Sequence, residues 1–393
     1  MSMLQLITKA SSAEQKSSSD SQYPIVLNPD PAFLTLISQN QQPNNESHFL
    51  KPVQGWSLSK TDTEIIDLSQ NFLKKLQIKL KNTNSFTKLE FVNILNSFLE
   101  KISQKVGIRI SDIKLPENRD GYTKRLVEKL GSFMGEGALS LVIEGCVMFE
   151  IWDVLECLIV KGFVVGSCCK GLVSKLVEKG KPGLVCLCVK YVLDLELLDV
   201  LSVLKYFLSR TTKDGFGDVR EGWEREAVMA IEMAADKSVG EKKMNLAKEA
   251  AVLLMMGHDG FTTSELCLHY LIVSPNVDDV IFAACVGKLN GLEIMGFVRY
   301  LKKWLVKYEK FPQACMTVKG GSSILGLKAL ESVPSIEAVT KCFGLVIDEH
   351  FSSLVMHPEF CEEMKSVEVV VNSLASEARF CCTLANLSAS LKN

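Results

Sequence analysis

The chain has 393 residues, 47% hydrophobic and 23% charged, with 44 Lys+Arg against 46 Asp+Glu and a formal net charge of −2. That composition supports a sizeable buried core and excludes a wholly disordered chain. The near-zero balance excludes a protein whose entire surface grips nucleic acid and leaves room only for a local basic patch.

Residues 1–55 are rich in Ser, Gln and Asn, and Pro24, Pro29, Pro31, Pro43 and Pro52 punctuate them. A disordered tail is expected there. Met1–Asp20 lacks the apolar core of a secretory leader. One island breaks the polar run: with Pro31 at a first helical position, Phe33, Leu34, Leu36 and Ile37 form a candidate linear motif for a partner's groove. The competing reading is residual local order.

From 56 to 106 the pattern predicts a helical hairpin. Thr61 with Glu64 and Thr87 with Glu90 have capping-box spacing, which satisfies free backbone N–H groups at a helix start. A linker is expected over 107–120. The body, 121–393, reads as apolar helical runs broken by Gly162, Gly180–Gly183, Asp214–Gly217, Gly257–Gly260, Ser274-Pro275 and Gly320-Gly321. Alternating strand pairs and hairpin turns are missing. The expected fold is therefore all-α: an irregular α-solenoid or helical-repeat-like array without a strict period and without a β-propeller.

The most apolar stretch, Leu139–Val165, is interrupted by Glu144, Glu150, Asp153 and Glu156. Each acid at a helix centre opposes insertion by roughly 2.5–3.5 kcal/mol, so no membrane span is expected. The 13 cysteines lie mostly in apolar runs such as Leu184–Val189, the pattern of buried thiols in a reducing compartment.

Two helices carry the clearest periodicity. Over 292–310, Ile294, Phe297, Val298, Leu301, Trp304, Leu305 and Tyr308 recur at steps of three and four, one apolar stripe. Opposite lie Arg299, Lys302, Lys303, Lys307 and Lys310, either a solvated face or an electrostatic contact for RNA phosphates or an acidic partner. The array ends in a long helix from about Pro358 to Leu391. Phe360, Met364, Val367, Val371, Leu374, Ala378, Cys381 and Ala385 lie on one seam of it. That seam calls for a matching groove from this chain or from another subunit.

Motifs for chemistry are lacking. Gly320-Gly321-Ser322-Ser323 has no following lysine for a phosphate loop, and neither a dinucleotide fingerprint nor a nucleophile elbow occurs. Cys186/Cys188, Cys168-Cys169 and Cys381-Cys382 have the wrong spacing for zinc. His350, preceded by Asp348 and Glu349, falls on the core face with Val339, Phe343, Val346 and Leu354, where a hydrogen-bonded packing role outweighs catalysis. No catalytic, cofactor-binding or metal-ligating residue is assigned, and an enzyme is not expected.

The runs Val333–Val339, Leu345-Val346-Ile347-Asp348-Glu349-His350-Phe351 and Leu354–Glu359 resemble the C-terminal region of the nucleolar protein eleven family. There a helix with an Asp-x-His-Phe element precedes a Pro-Glu start to the last long helix. The likeness covers Val333–Leu391 and extends more loosely upstream to about Gly121. It implies a scaffold of the small-subunit processome, in the nucleolar subcomplex that supports rRNA transcription and early 18S pre-rRNA processing. The implied partners are protein subunits, with RNA contact less strongly indicated. The family's N-terminal β-propeller has no counterpart here. The alternative is a helical adaptor in cytoplasmic trafficking or protein turnover; a third reading is an enzyme with a site assembled across helices.

Overall fold

The computed structural model describes residues 60–82, 86–108, 119–166, 171–209, 216–236, 240–312 and 321–392. Contacts divide the chain into Met1–Thr63 and Glu64–Asn393. The tail 1–55, its island Phe33, Leu34, Leu36 and Ile37, and most of 107–120 lie outside the described residues.

The described residues form sixteen α-helices and no strand. The first eight are α1 (Lys60–Lys81), α2 (Lys88–Val106), α3 (Arg119–Leu130), α4 (Glu136–Met148), α5 (Trp152–Val160), α6 (Leu172–Glu178), α7 (Pro182–Tyr191) and α8 (Leu197–Leu208). The remainder are α9 (Gly217–Ala235), α10 (Glu241–His258), α11 (Thr263–Val273), α12 (Asp279–Val286), α13 (Gly291–Lys310), α14 (Gly321–Leu325), α15 (Ile336–Met356) and α16 (Pro358–Lys392). The architecture is an all-α, helical-repeat-like array.

Helix starts show why these residues make these elements. Thr87 accepts the Glu90 N–H at 3.3 Å, while the Glu90 carboxylate turns away to Lys79 Nζ at 2.6 Å. Half of the expected capping box is thus exchanged for an ion pair between helices. Full boxes occur at Thr262/Glu265 and Asn290/Glu293, opening α11 and α13. Gly107 closes α2 at φ 80°, a left-handed conformation that costs a side-chain-bearing residue more than glycine.

Helices α1 and α2 run antiparallel, since Phe72 stacks on Phe98 at 4.0 Å while Lys79 pairs with Glu90 nearer the turn. Phe86 and Phe91 then meet Phe149 at 5.2 and 5.5 Å, so this hairpin shares its core with the end of α4. A Cβ at Gly145 would collide with the Phe91 ring; glycine there is what seats the ring on α4.

From there each helix hands contacts to the next few: α3 to α5, α5 to α7, α7 to α11, α8 to α11 and α12, α13 to α15 and α16. The closest partners are α9 and α10. Their buried faces are rich in small residues, Ala227 and Ala230 on α9 against Ala247, Ala250 and Gly257 on α10. Helix axes can approach closely where side chains are this short.

Helix α15 is kinked at His350, where φ −124° and ψ 17° leave the helical region. It ends at His357, and Pro358 starts α16. The expected seam on α16 is only partly used. Phe360, Val367 and Val370 are buried and Met364 and Leu374 pack against the core, but Val371, Ala378, Cys381 and Ala385 are exposed. The contacts that α13 and α15 make with α16 serve this first part of the helix.

Candidate functional site

Helix α13 buries Ile294, Phe297, Val298, Leu301, Trp304, Leu305 and Tyr308, the full predicted stripe, and adds Met295 and Tyr300. Completely burying each such side chain stabilises by about 1.5–3 kcal/mol relative to exposure, so this helix is fixed firmly in the array. Its rigidity defines where the five cations stand.

Those cations are engaged to different degrees. Arg299 Nε and Lys302 Nζ lie 3.5 and 3.6 Å from Glu363 Oε1 on α16. Lys303 Nζ reaches both Glu265 oxygens at 2.8 Å and the Gly260 carbonyl at 3.2 Å. Lys307 sits 5.2 Å from the centroid of the Phe261 ring, a cation–π contact. Burial pushes its ammonium below the ordinary lysine range, with Asp259 opposing the shift. Lys310 is exposed. Arg299, Lys302 and Lys303 thus have intramolecular carboxylates, and Glu363 and Glu265 are only 20% and 16% exposed.

Behind this face lies a buried polar network absent from the sequence reading. His269 is fully buried; its Nε2 is 2.9 Å from the Gly257 carbonyl and its Nδ1 2.7 Å from Tyr300 Oη. A carbonyl only accepts, so Nε2 carries the proton and Nδ1 accepts from the Tyr300 hydroxyl. That hydroxyl in turn accepts the Trp304 Nε1–H at 3.1 Å. Phe261 and Trp304 close on the imidazole edge-to-face at 4.8 and 4.9 Å. Desolvation lowers the His269 pKa to about 3, so the ring stays neutral. The network joins α10, α11 and α13.

His350 has the packing geometry expected of it. It is buried, and its Nε2–H donates to the Val286 carbonyl at the end of α12 at 2.8 Å. Asp348 and Glu349 are exposed, off that face.

Two open grooves lie between the helices. A groove of 1050 Å³ runs between α8, the start of α13, the kinked end of α15 and the start of α16, past Arg299, His350, His357, Glu359 and Glu363. The second, of 530 Å³, lies between α5, α7 and α9. In it Lys181 covers Trp152 at 5.3 Å, and Glu226 accepts the Ala329 N–H at 2.6 Å. Desolvation raises the Glu226 pKa, opposed by its backbone hydrogen bond and by Lys190 and Lys328.

Among the described residues no group of three His, Cys, Asp or Glu is placed to hold a metal, and no helix is long and apolar enough to cross a membrane. Burial pushes the Cys146 and Cys342 thiols up to about 12, which keeps them protonated and poor nucleophiles.

Fold and site together define a class: an all-α helical array in which one largely enclosed helix carries a row of cations. No family model, no curated protein and no solved structure matches the chain.

Proposed function

We propose that the chain is a non-catalytic scaffold that works through helix-mediated protein contacts, and that it acts in nucleolar ribosome biogenesis. The observation that carries this is the layout of the C-terminal segment. The residues resembling the nucleolar protein eleven family fall on α15, on its His350 kink, and on the Pro358-Glu359 start of α16. The support for the nucleolar reading is that sequence likeness; the all-α fold serves it and the cytoplasmic adaptor alike. Arg299, Lys302, Lys303, Lys307 and Lys310 on α13 then form the face for an acidic partner or RNA, and the partners are protein subunits of the small-subunit processome. On this reading the chain needs no cofactor.

A fluorescently tagged full chain, combined with affinity purification and mass spectrometry, tests the proposal. Nucleolar enrichment with co-purified processome subunits supports it. A purely cytosolic or vesicular pattern, with trafficking or turnover factors recovered instead, removes it in favour of a cytoplasmic adaptor.

A further inference from the structure

Helix α3 packs on both α2 and α5, and a cavity of 110 Å³ lies where they meet. Lys88 lines it from α2 and Thr123 from α3, and the turn Glu150-Ile151 with the first residues of α5 completes the wall. Two sets of hydrogen-bonding groups there are left over. The first is the start of α5. Ile151 holds the N-cap position without an oxygen to offer, so the Trp152, Asp153 and Val154 N–H groups have no side-chain cap. The N–H of Ile151 itself is used, bonding the Cys146 carbonyl at 2.9 Å. The second is Thr123, only 2% exposed, whose Oγ1 has no hydrogen-bond partner among the described residues. A threonine inside a helix commonly bonds its hydroxyl to a carbonyl one turn back. Thr123 does not, and an unbonded hydroxyl in the interior costs stability.

The chemistry of the wall selects its occupant. Lys88 is exposed and brings an ammonium. The Glu150 carboxylate is taken by Lys179 Nζ at 2.8 Å, which leaves exposed Asp153 as the second acid of the wall. Against Asp153 stand the Lys88 charge, the positive end of the α5 dipole and a hydroxyl that needs a partner. Backbone donors at a helix start, joined by an ammonium and a hydroxyl, suit an anion with several acceptor oxygens. At about 30 Å³ per water, the cavity holds the equivalent of three or four waters. That admits a phosphate-sized group and nothing much larger.

We propose that this cavity binds a tetrahedral oxyanion of phosphate size. The N–H groups of Trp152, Asp153 and Val154, the Lys88 ammonium and the Thr123 hydroxyl hold it. Its source is free phosphate or the phosphate of a monoester whose remainder stays outside the cavity.

Amide chemical shifts of the deuterated full chain, titrated with sodium phosphate against sodium chloride at equal ionic strength, test this. The Trp152, Asp153 and Val154 amides shift saturably with phosphate and not with chloride. Phenyl phosphate is the second titrant: the same shifts assign a monoester phosphate, and a response to inorganic phosphate alone assigns the free ion. Thr123→Val weakens binding about fivefold, with a melting curve in phosphate-free buffer no lower than wild type because no hydrogen bond is lost. Thr123→Ser keeps the hydroxyl and binds like wild type. Lys88→Gln, at an exposed position, weakens binding about tenfold and carries the test if the valine variant does not fold. Amides of α5 that do not respond to phosphate overturn the proposal. So do Thr123→Val and Lys88→Gln chains that bind phosphate as wild type does.

Discussion

Lowering the pH from 7 to 5 is expected to destabilise the fold through His269. In the unfolded chain this imidazole titrates near its ordinary value of 6.5, whereas burial holds the folded value at about 3. Between those values the unfolded state binds a proton that the folded state refuses, so stability falls as pH falls. The penalty is absent well above pH 6.5, grows on acidification, and levels off only below about pH 3. From pH 7 to pH 5 the linkage comes to about 2 kcal/mol. Urea unfolding at pH 7, 6 and 5, followed by tryptophan fluorescence, measures it. His269→Gln preserves the shape of the hydrogen-bonding site, donating to Gly257 and accepting from Tyr300, but cannot titrate. Carboxylates that bind protons in the same range act equally in both proteins and cancel in the difference. The variant should therefore lose about 2 kcal/mol less than wild type over this interval. Parallel losses in the two proteins would refute the claim that the folded ring is held neutral.

Other substitutions probe separate links. Tyr300→Phe leaves the His269 Nδ1 acceptor and the Trp304 Nε1 donor unpaired in the core and should cost about 2–4 kcal/mol in urea unfolding. A loss under about 0.5 kcal/mol on the same principle would mean that the two groups find other partners. Gly145→Ala drives a methyl into the Phe91 ring and should destabilise by about 1–3 kcal/mol, whereas Gly344→Ala, with open space around it on α15, should stabilise by about 0.5–1 kcal/mol. Equal effects at the two glycines would contradict the seating of Phe91. His350→Ala should lower the melting temperature while leaving partner recovery intact; an unchanged melt with lost recovery would make it a functional residue. Lys302→Glu with Lys303→Glu should reduce retention of an acidic partner or RNA at low salt with little change in circular dichroism. Retention equal to wild type would leave Glu363 and Glu265 as the only anions these lysines serve.

The sequence made some of this legible and hid the rest for identifiable reasons. Three-and-four spacing is local, so the α13 stripe and the opposed cations could be read directly from 292–310. Tyr300 escaped the stripe because neighbouring helices enclose more of α13 than one face, and spacing along one helix carries no information about its neighbours. The same limit hid Glu363 and Glu265 as counterions, and it hid His269 as a hub, since Gly257 and Tyr300 meet it only after three helices pack. On α16 the seam from Phe360 to Ala385 is continuous in spacing. What ends its burial after Leu374 is the extent of the surface beneath it, a property of α13 and α15.

The seam between α9 and α10 carries an evolutionary consequence. Ala227, Ala230, Ala247, Ala250 and Gly257 are near the lower limit of side-chain size, so almost any replacement adds atoms. A Cβ at Gly257 would already lie 2.9 Å from Trp223 Cζ3. Because the Gly257 carbonyl also receives the His269 proton, growth at this junction would strain the buried network as well as the helix pair. Drift here is one-sided, and a larger residue in this row would have to be matched by trimming on the helix opposite.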